Sequence, residues 1–170
     1  LFILPNEQDS DEWNDPKITI KASGKVGPAD KRDMGAGEAK GEFLVFLDDD
    51  SYPNADLLDI AEKYFKDESV VAIGGPGITP PHDSFWQKVS GAVFLSKVGG
   101  GRPERYIPLG KVREVYDWPS VNLMVRKKEF LEVGGFNSKF WPGEDTKFCF
   151  DLIKKTNKKI LYIPELVVWH

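Results

Sequence analysis

Cysteine is nearly missing from this chain: its 170 residues include one, Cys149. One thiol closes no internal disulfide, and because this one lies in an apolar stretch it reads as reduced and buried, which implies a reducing compartment such as the cytosol. Long hydrophobic runs are missing too. No stretch approaches the roughly 18 apolar residues that a membrane-spanning helix needs, so a soluble piece is expected. No charge of one sign dominates: 23 Lys and Arg stand against 27 Asp and Glu, a net charge of -4, which argues against a general nucleic-acid binder and makes local clusters the informative electrostatics. Internal repeats and low-complexity tracts are absent. What remains is an ordinary globular composition, 41% hydrophobic and 29% charged, at a length that suits one domain over residues 1–170 around one core.

Strand-like runs occupy 1–5, 18–23, 43–47, 70–75, 121–126 and 159–164, with an acidic loop over 6–16. Pro28 marks the start of a helix that would end near Gly41, helical spacing is found over 55–66, a short helical segment over 127–136 closes on glycine, and another runs over 144–155, where Phe148, Leu152 and Ile153 form an inward face. Phe85, Val89, Ala92 and Val93 suggest one more helix. The order β, β, α, β, α, β predicts a three-layer α/β/α sandwich on a mainly parallel sheet. Residues 99–119 are rich in Gly, Pro and charge and longer than a plain connection, as a functional or mobile loop would be. Both ends read as strands cut from something longer.

Ligands of an α/β sheet bind at the carboxyl ends of its strands. There the run FLVFL ends in three aspartates, Asp48, Asp49 and Asp50. Adjacent like charges resist burial, so this cluster calls for a metal ion or cationic side chains. If the backbone stays extended, Asp48 and Asp50 face one side and Asp49 the other. Two carboxylates at a strand tip suit a hard cation, Mg2+ or Mn2+, completed by phosphate oxygens of a substrate. The plainer alternative is a solvated turn whose acids, or Asn54, cap the next helix. Pro53 stands where an EF-hand calcium loop needs glycine.

A second acidic point, Glu144 and Asp145, opens the helix over 144–155, where it serves either as a cap or, reached through a Gly- and aromatic-rich approach, as a general base near a hydroxyl. His170 follows an apolar run and is either packed or a neutral imidazole ligand to a metal. Lys31 and Arg32 either meet a phosphate-bearing ligand or form a solvated helix face.

Together, GPADKRDMGAGEAKGEFLVFLDDDSYPNADLL and PSVNLMVRKKEFLEVGGFNSKFWPGEDTKFCFDLIKKTNKKILYIPELVVWH resemble the family-2 inverting nucleotide-sugar glycosyltransferases of GT-A fold, over roughly residues 1–75 and 119–170. The resemblance implies that DDD is the DXD element, with Asp48 and Asp49 near the nucleotide and Asp50 holding Mn2+ or Mg2+ on the diphosphate. It implies that Arg32 approaches the nucleotide and that Glu144 and Asp145 are the ED pair, with Asp145 the base on the acceptor hydroxyl. It also places His170 near the metal. The donor would be a nucleotide-diphosphate sugar and the acceptor a carbohydrate, lipid-linked or other hydroxyl, on a cytoplasmic protein whose further flanks, including a first strand and helix before Leu1, could associate with a membrane. Asp33 stands where the family usually has Asn, and Asp151 where it often has Arg. The QxxRW signature of processive synthases is not present, which points to single-sugar transfer. FLDDDSY also resembles the first motif of haloacid-dehalogenase-like phosphatases, although Tyr52 stands where that motif wants Thr or Val. A non-catalytic nucleotide-sugar-binding fragment is the remaining alternative.

Overall fold

The computed structural model describes residues 1–4, 15–96, 102–136, 138–140 and 142–170. Pro5, most of the acidic loop, residues 99–101 and Trp141 therefore lie outside the described residues. Strands β1 (Phe2–Leu4) and β2 (Ile20–Ala22) form a separate parallel pair. The chain continues through α1 (Pro28–Glu38), β3 (Phe43–Leu47), β4 (Tyr52–Pro53), α2 (Leu57–Phe65), β5 (Val70–Gly74), β6 (Gly77–Ile78) and α3 (Phe85–Leu95). It then forms β7 (Arg113–Val115), β8 (Asn122–Arg126), α4 (Lys127–Val133), α5 (Glu144–Thr156), β9 (Lys159–Tyr162) and β10 (Val168–Trp169).

Local chemistry accounts for the helices. Pro28 opens α1, where its missing N–H removes nothing. In α2, Leu57, Ala61 and Phe65 recur every fourth residue and all are buried, each large side chain contributing about 1.5–3 kcal/mol. Helix α4 stops at Gly134, whose φ of 98° suits only glycine, and α5 carries Glu144 and Asp145 in its first turn and Lys154 and Lys155 in its last, matching the helix dipole at both ends.

The central sheet has the order β3-β8-β5-β9-β7 and is mixed, not mainly parallel as expected: only β5 and β9 are parallel neighbours. Because β3 and β5 are both antiparallel to β8, they run parallel to each other, so β3-α2-β5 is the crossover unit that the pattern predicts. Its two strands leave a place between them, and β8, arriving much later in the chain, fills it. On one side Leu44, Phe46, Leu123 and Val125 pack against α1, α4 and α5 through Ala36, Phe130, Phe148 and Leu152. On the other, Ile73 and Met124 meet Leu57, Ala61 and Phe65 of α2. These are the three expected layers. A small sheet, β4-β10-β6, stands at the carboxyl ends of β3 and β5. The register pairs Leu47 with Asn122 and Gly74 with Leu123, so the ends of β3 and β5 and the start of β8 share one rim.

Candidate active site

Beyond Leu47 the chain leaves the sheet in a turn, with the Ser51 amide and hydroxyl both donating to the Asp48 carbonyl at 3.1 and 2.7 Å. Extended alternation therefore ends at Asp48, yet Asp48 and Asp50 still converge, and they do so on His170. Its Nε2 lies 3.8 Å from Asp48 Oδ2 and 3.3 Å from Asp50 Oδ1, and one donor atom from each of the three residues falls within 4.8 Å of the other two. Asp49 is exposed, and no contact brings it into this group among the described residues. Two carboxylate oxygens and an imidazole nitrogen at this spacing, all open to solvent on one side, fit a hard divalent ion that keeps positions for phosphate oxygens.

His170 reaches the turn because of how β10 is held. Its backbone N–H donates to the Ile78 carbonyl at 2.9 Å, and the preceding Trp169 stacks on Tyr52 and donates its indole N–H to Asn54 Oδ1 at 2.9 Å. Asn54 is thus engaged with Trp169, and α2 begins at Asp56 without a side-chain cap. Upstream, the buried Asn122 amide donates to the Leu166 carbonyl at 2.6 Å and the Trp118 indole N–H to the Gly75 carbonyl at 3.0 Å. Gly75 permits this approach: a Cβ there would sit 1.8 Å from the Leu166 carbonyl oxygen.

The second acidic point joins the first through Arg32. Its guanidinium donates to Asp48 Oδ1 at 2.9 Å and lies 3.6 Å from Glu144 Oε1, with the arginine side chain largely covered. Asp33 faces elsewhere, its carboxylate accepting the Phe136 amide at 2.9 Å; it leaves no room for a side chain at Gly135. Asp151 pairs with Lys147 one helical turn earlier and takes no part in the group.

Asp145 accepts the Ser120 amide at Oδ2, 3.1 Å away, while its Oδ1 is buried and has no partner among the described residues. Burial raises its pKa, with the neighbouring Glu144 adding to the effect, against the lowering exerted by the Ser120 amide and Arg32. An ionised carboxyl under these conditions is a good proton acceptor with one oxygen held and one uncommitted.

The stretch expected as a functional or mobile loop holds β7, antiparallel to β9, and is tied down among its described residues. Asp117 accepts Arg102 at 2.6 Å, Arg105 at 2.9 Å and the Thr146 hydroxyl at 3.3 Å, beside Asp145; both arginines hold its carboxyl below the ordinary range despite partial burial. Buried Cys149 has its thiol pushed up to about 12 by burial, in keeping with an inert reduced cysteine. A cavity of about 550 Å³ opens at the opposite rim between Phe43, Arg126 and Lys158 and contains none of these groups.

The fold and this rim define a GT-A α/β domain with an acidic cluster at the carboxyl edge of its sheet. The family model for glycosyl transferase family 2 matches residues 5–131, and the chain belongs to that family. This decides between the two resemblances of FLDDDSY in favour of the glycosyltransferase. Comparison with curated proteins finds no match. Among solved structures the chain is similar to GalNAc-T7 with UDP, GalNAc and Mn2+, at 15% identity and a TM-score of 0.60 over 89% of this chain and 32% of that one. It is also similar to the mannosyltransferase PcManGT of Pyrobaculum calidifontis in complex with GDP-Man and Mn2+, at 17% and 0.58 over 89% of this chain and 39% of that one. S. aureus TarS 1-349 in complex with UDP gives 17% and 0.64 over 99% of this chain and 49% of that one. The chain thus spans between a third and a half of these proteins' lengths. No helix among the described residues is long and apolar enough to cross a membrane.

Proposed function

We propose that residues 1–170 form one GT-A domain of an inverting, metal-dependent glycosyltransferase that moves a sugar from a nucleotide-diphosphate donor to an acceptor hydroxyl. The observation that carries the reading is the meeting of Asp48, Asp50 and His170 at the end of β3, with Arg32 linking them to the Glu144-Asp145 helix start. Asp50 and His170 would hold Mn2+ or Mg2+, with Asp48 and Asp49 on the nucleotide side. When bound, the ion supplies positive charge against the leaving diphosphate. Arg32 adds a fixed positive charge beside the donor and holds Glu144, which keeps the first turn of α5 in place. The Asp145 carboxylate takes the acceptor hydroxyl proton as the hydroxyl oxygen bonds to the anomeric carbon, and the bond from this carbon to the diphosphate oxygen breaks on the opposite face, inverting the centre. Mn2+ and UDP or GDP-Man accompany the structural relatives, which supports this donor and cofactor class. The acceptor would be a carbohydrate, lipid-linked or other hydroxyl.

Thermal unfolding with UDP or GDP, each with and without Mn2+ or Mg2+, tests the donor half. The expected outcome is stabilisation only when metal and diphosphate are both present, ~2.7 kcal/mol at about 100 times Kd. Asp50→Ala should abolish it. An Asp50→Ala protein that responds as fully as the parent removes the metal assignment.

A further inference from the structure

Helix α5 begins without a side-chain cap, its N-cap position being Gly143 at a φ of 120°. The first turn is held from the side instead. Glu144 Oε1 lies 3.6 Å from Arg32 of α1, Asp145 Oδ2 accepts the Ser120 amide at 3.1 Å, and the Thr146 hydroxyl donates to Asp117 Oδ2 at 3.3 Å. Successive residues of a helix point about 100° apart, so contacts on three in a row stop the turn from rolling about its axis. Two of the three come from one short segment. Asp117 and Ser120 stand at its ends, and between them Trp118 is pinned by its indole bond to the Gly75 carbonyl, while its own carbonyl accepts the Cys149 thiol at 3.7 Å. Asp117 is itself anchored: Arg102 donates to Oδ1 at 2.6 Å and Arg105 to Oδ2 at 2.9 Å, and the side chain is 16% exposed. Among the described residues Asp117 is the only anion that pairs with Arg105, whose buried Nε has no partner there.

We infer that Asp117 is a positioning residue for the candidate base: anchored by Arg102 and Arg105, its carboxylate holds Thr146 and, together with the Ser120 amide, fixes the direction of the Asp145 carboxyl. The inference rests on the reading of Asp145 as that base. A staple for the 102–118 segment alone would need only the two arginines; the bond from Thr146 carries the anchor into the turn that bears Asp145. Charge gives Asp117 a second hold. Among the described residues, the titratable and charged groups around Asp145 are Glu144 and Cys149 of its own helix, Arg32 of α1, and Asp117 with its two arginines. Taking away the Asp117 charge removes a like charge and releases two guanidiniums, and both changes favour the ionised form of Asp145. The sign is therefore fixed: without that charge Asp145 should lose its proton at lower pH.

The test uses the chain alone, with no nucleotide or metal, so it stands apart from the diphosphate experiment that tests the glycosyltransferase reading. NMR follows the Asp145 carboxyl carbon, identified by its loss in Asp145→Asn, and the Ser120 amide proton as pH is raised. In the parent the Ser120 amide should move with the Asp145 titration, because it donates to that carboxylate. Asp117→Asn keeps an oxygen for Thr146 and drops the charge, and should lower the Asp145 midpoint by at least about half a pH unit, the scale of one like charge removed beside a partly buried group. Thr146→Val keeps every charge and cuts the link, and should leave the Ser120 amide with little of its response; Thr146→Ser, which restores the hydroxyl, should recover it. Thr146 is exposed, so these two variants should fold as the parent does. An Asp145 midpoint that stays or rises in Asp117→Asn overturns the proposal. So does a Ser120 response that Thr146→Val leaves intact, even where the Asp117 variant melts earlier, since Asp117 would then only staple its loop.

Discussion

Asp145 uses its two oxygens differently, one held by the Ser120 amide and the other buried with no partner among the described residues, and its stability effect follows from that. Because burial raises its pKa, the native state holds a proton more tightly than the unfolded chain does. Stability from this group is therefore greatest below the ordinary Asp range, declines as pH rises, and is lowest once pH passes the raised value. Asp145→Asn keeps the acceptor for Ser120 and removes the charge. The variant should unfold at higher urea than the parent at pH 7, with the difference closing as pH falls to the ordinary Asp range, while transfer drops about 10²–10⁴-fold. A parent that proves the more stable at pH 7 would refute the assignment of a costly buried carboxylate. Residue chemistry marked these positions in advance, with the acids after the strand the clearest signal, but left the acidic pair at a helix start and the histidine open between structural and functional roles until the resemblance joined them; in the structure Asp48, Asp50, His170, Arg32 and Glu144 do meet. The Ser120 amide was not legible, since a backbone donor has no side-chain signature; the turn after Asp48 was one of two readings the acids allowed, and it replaces strand alternation as the reason Asp49 stands apart.

At the scale of elements, two glycines should respond to the same substitution with opposite signs. Gly75 lies where the end of β5 presses on the chain leading to β10, and Ala there meets backbone that has no rotamer to yield, so Gly75→Ala should destabilise by about 2–3 kcal/mol and loosen His170. Gly37 lies within α1 with nothing near its missing Cβ, so Gly37→Ala should stabilise by about 0.5–1 kcal/mol. Urea midpoints at constant slope measure both, and equal signs would contradict the packing described. Helices α2, α3 and α5 and the longer strands follow from periodicity, and α1 and α4 from the proline and glycine that bound them, because each is specified by contiguous residues. Strand order does not. The insertion of β8 between β3 and β5 is decided by contacts far apart in sequence, and two-residue strands such as β4, β6 and β10 are too short to carry a period. Strand β7 hides among glycine, proline and charge because its pairing with β9 is also long-range, reinforced by the Tyr162 hydroxyl, which accepts the Leu109 amide at 3.0 Å.

For the whole molecule, the two apolar clusters lie on opposite faces of one sheet and share its strands: Leu123 and Val125 of β8 point into one while Met124 points into the other. Neither face can lose its helices without exposing the strands that organise the other. Unfolding should therefore be a single transition, as expected for one domain. Cys149 reports on one face, being fully buried beneath Trp118, and the amides of α2 report on the other. Thiol labelling of Cys149 and hydrogen exchange in α2, followed against urea, should share a midpoint. If α2 opens at distinctly lower urea while Cys149 stays protected, the domain is two cooperative units, and ligand stabilisation must then be read separately for the half that carries α1, α5 and Asp145.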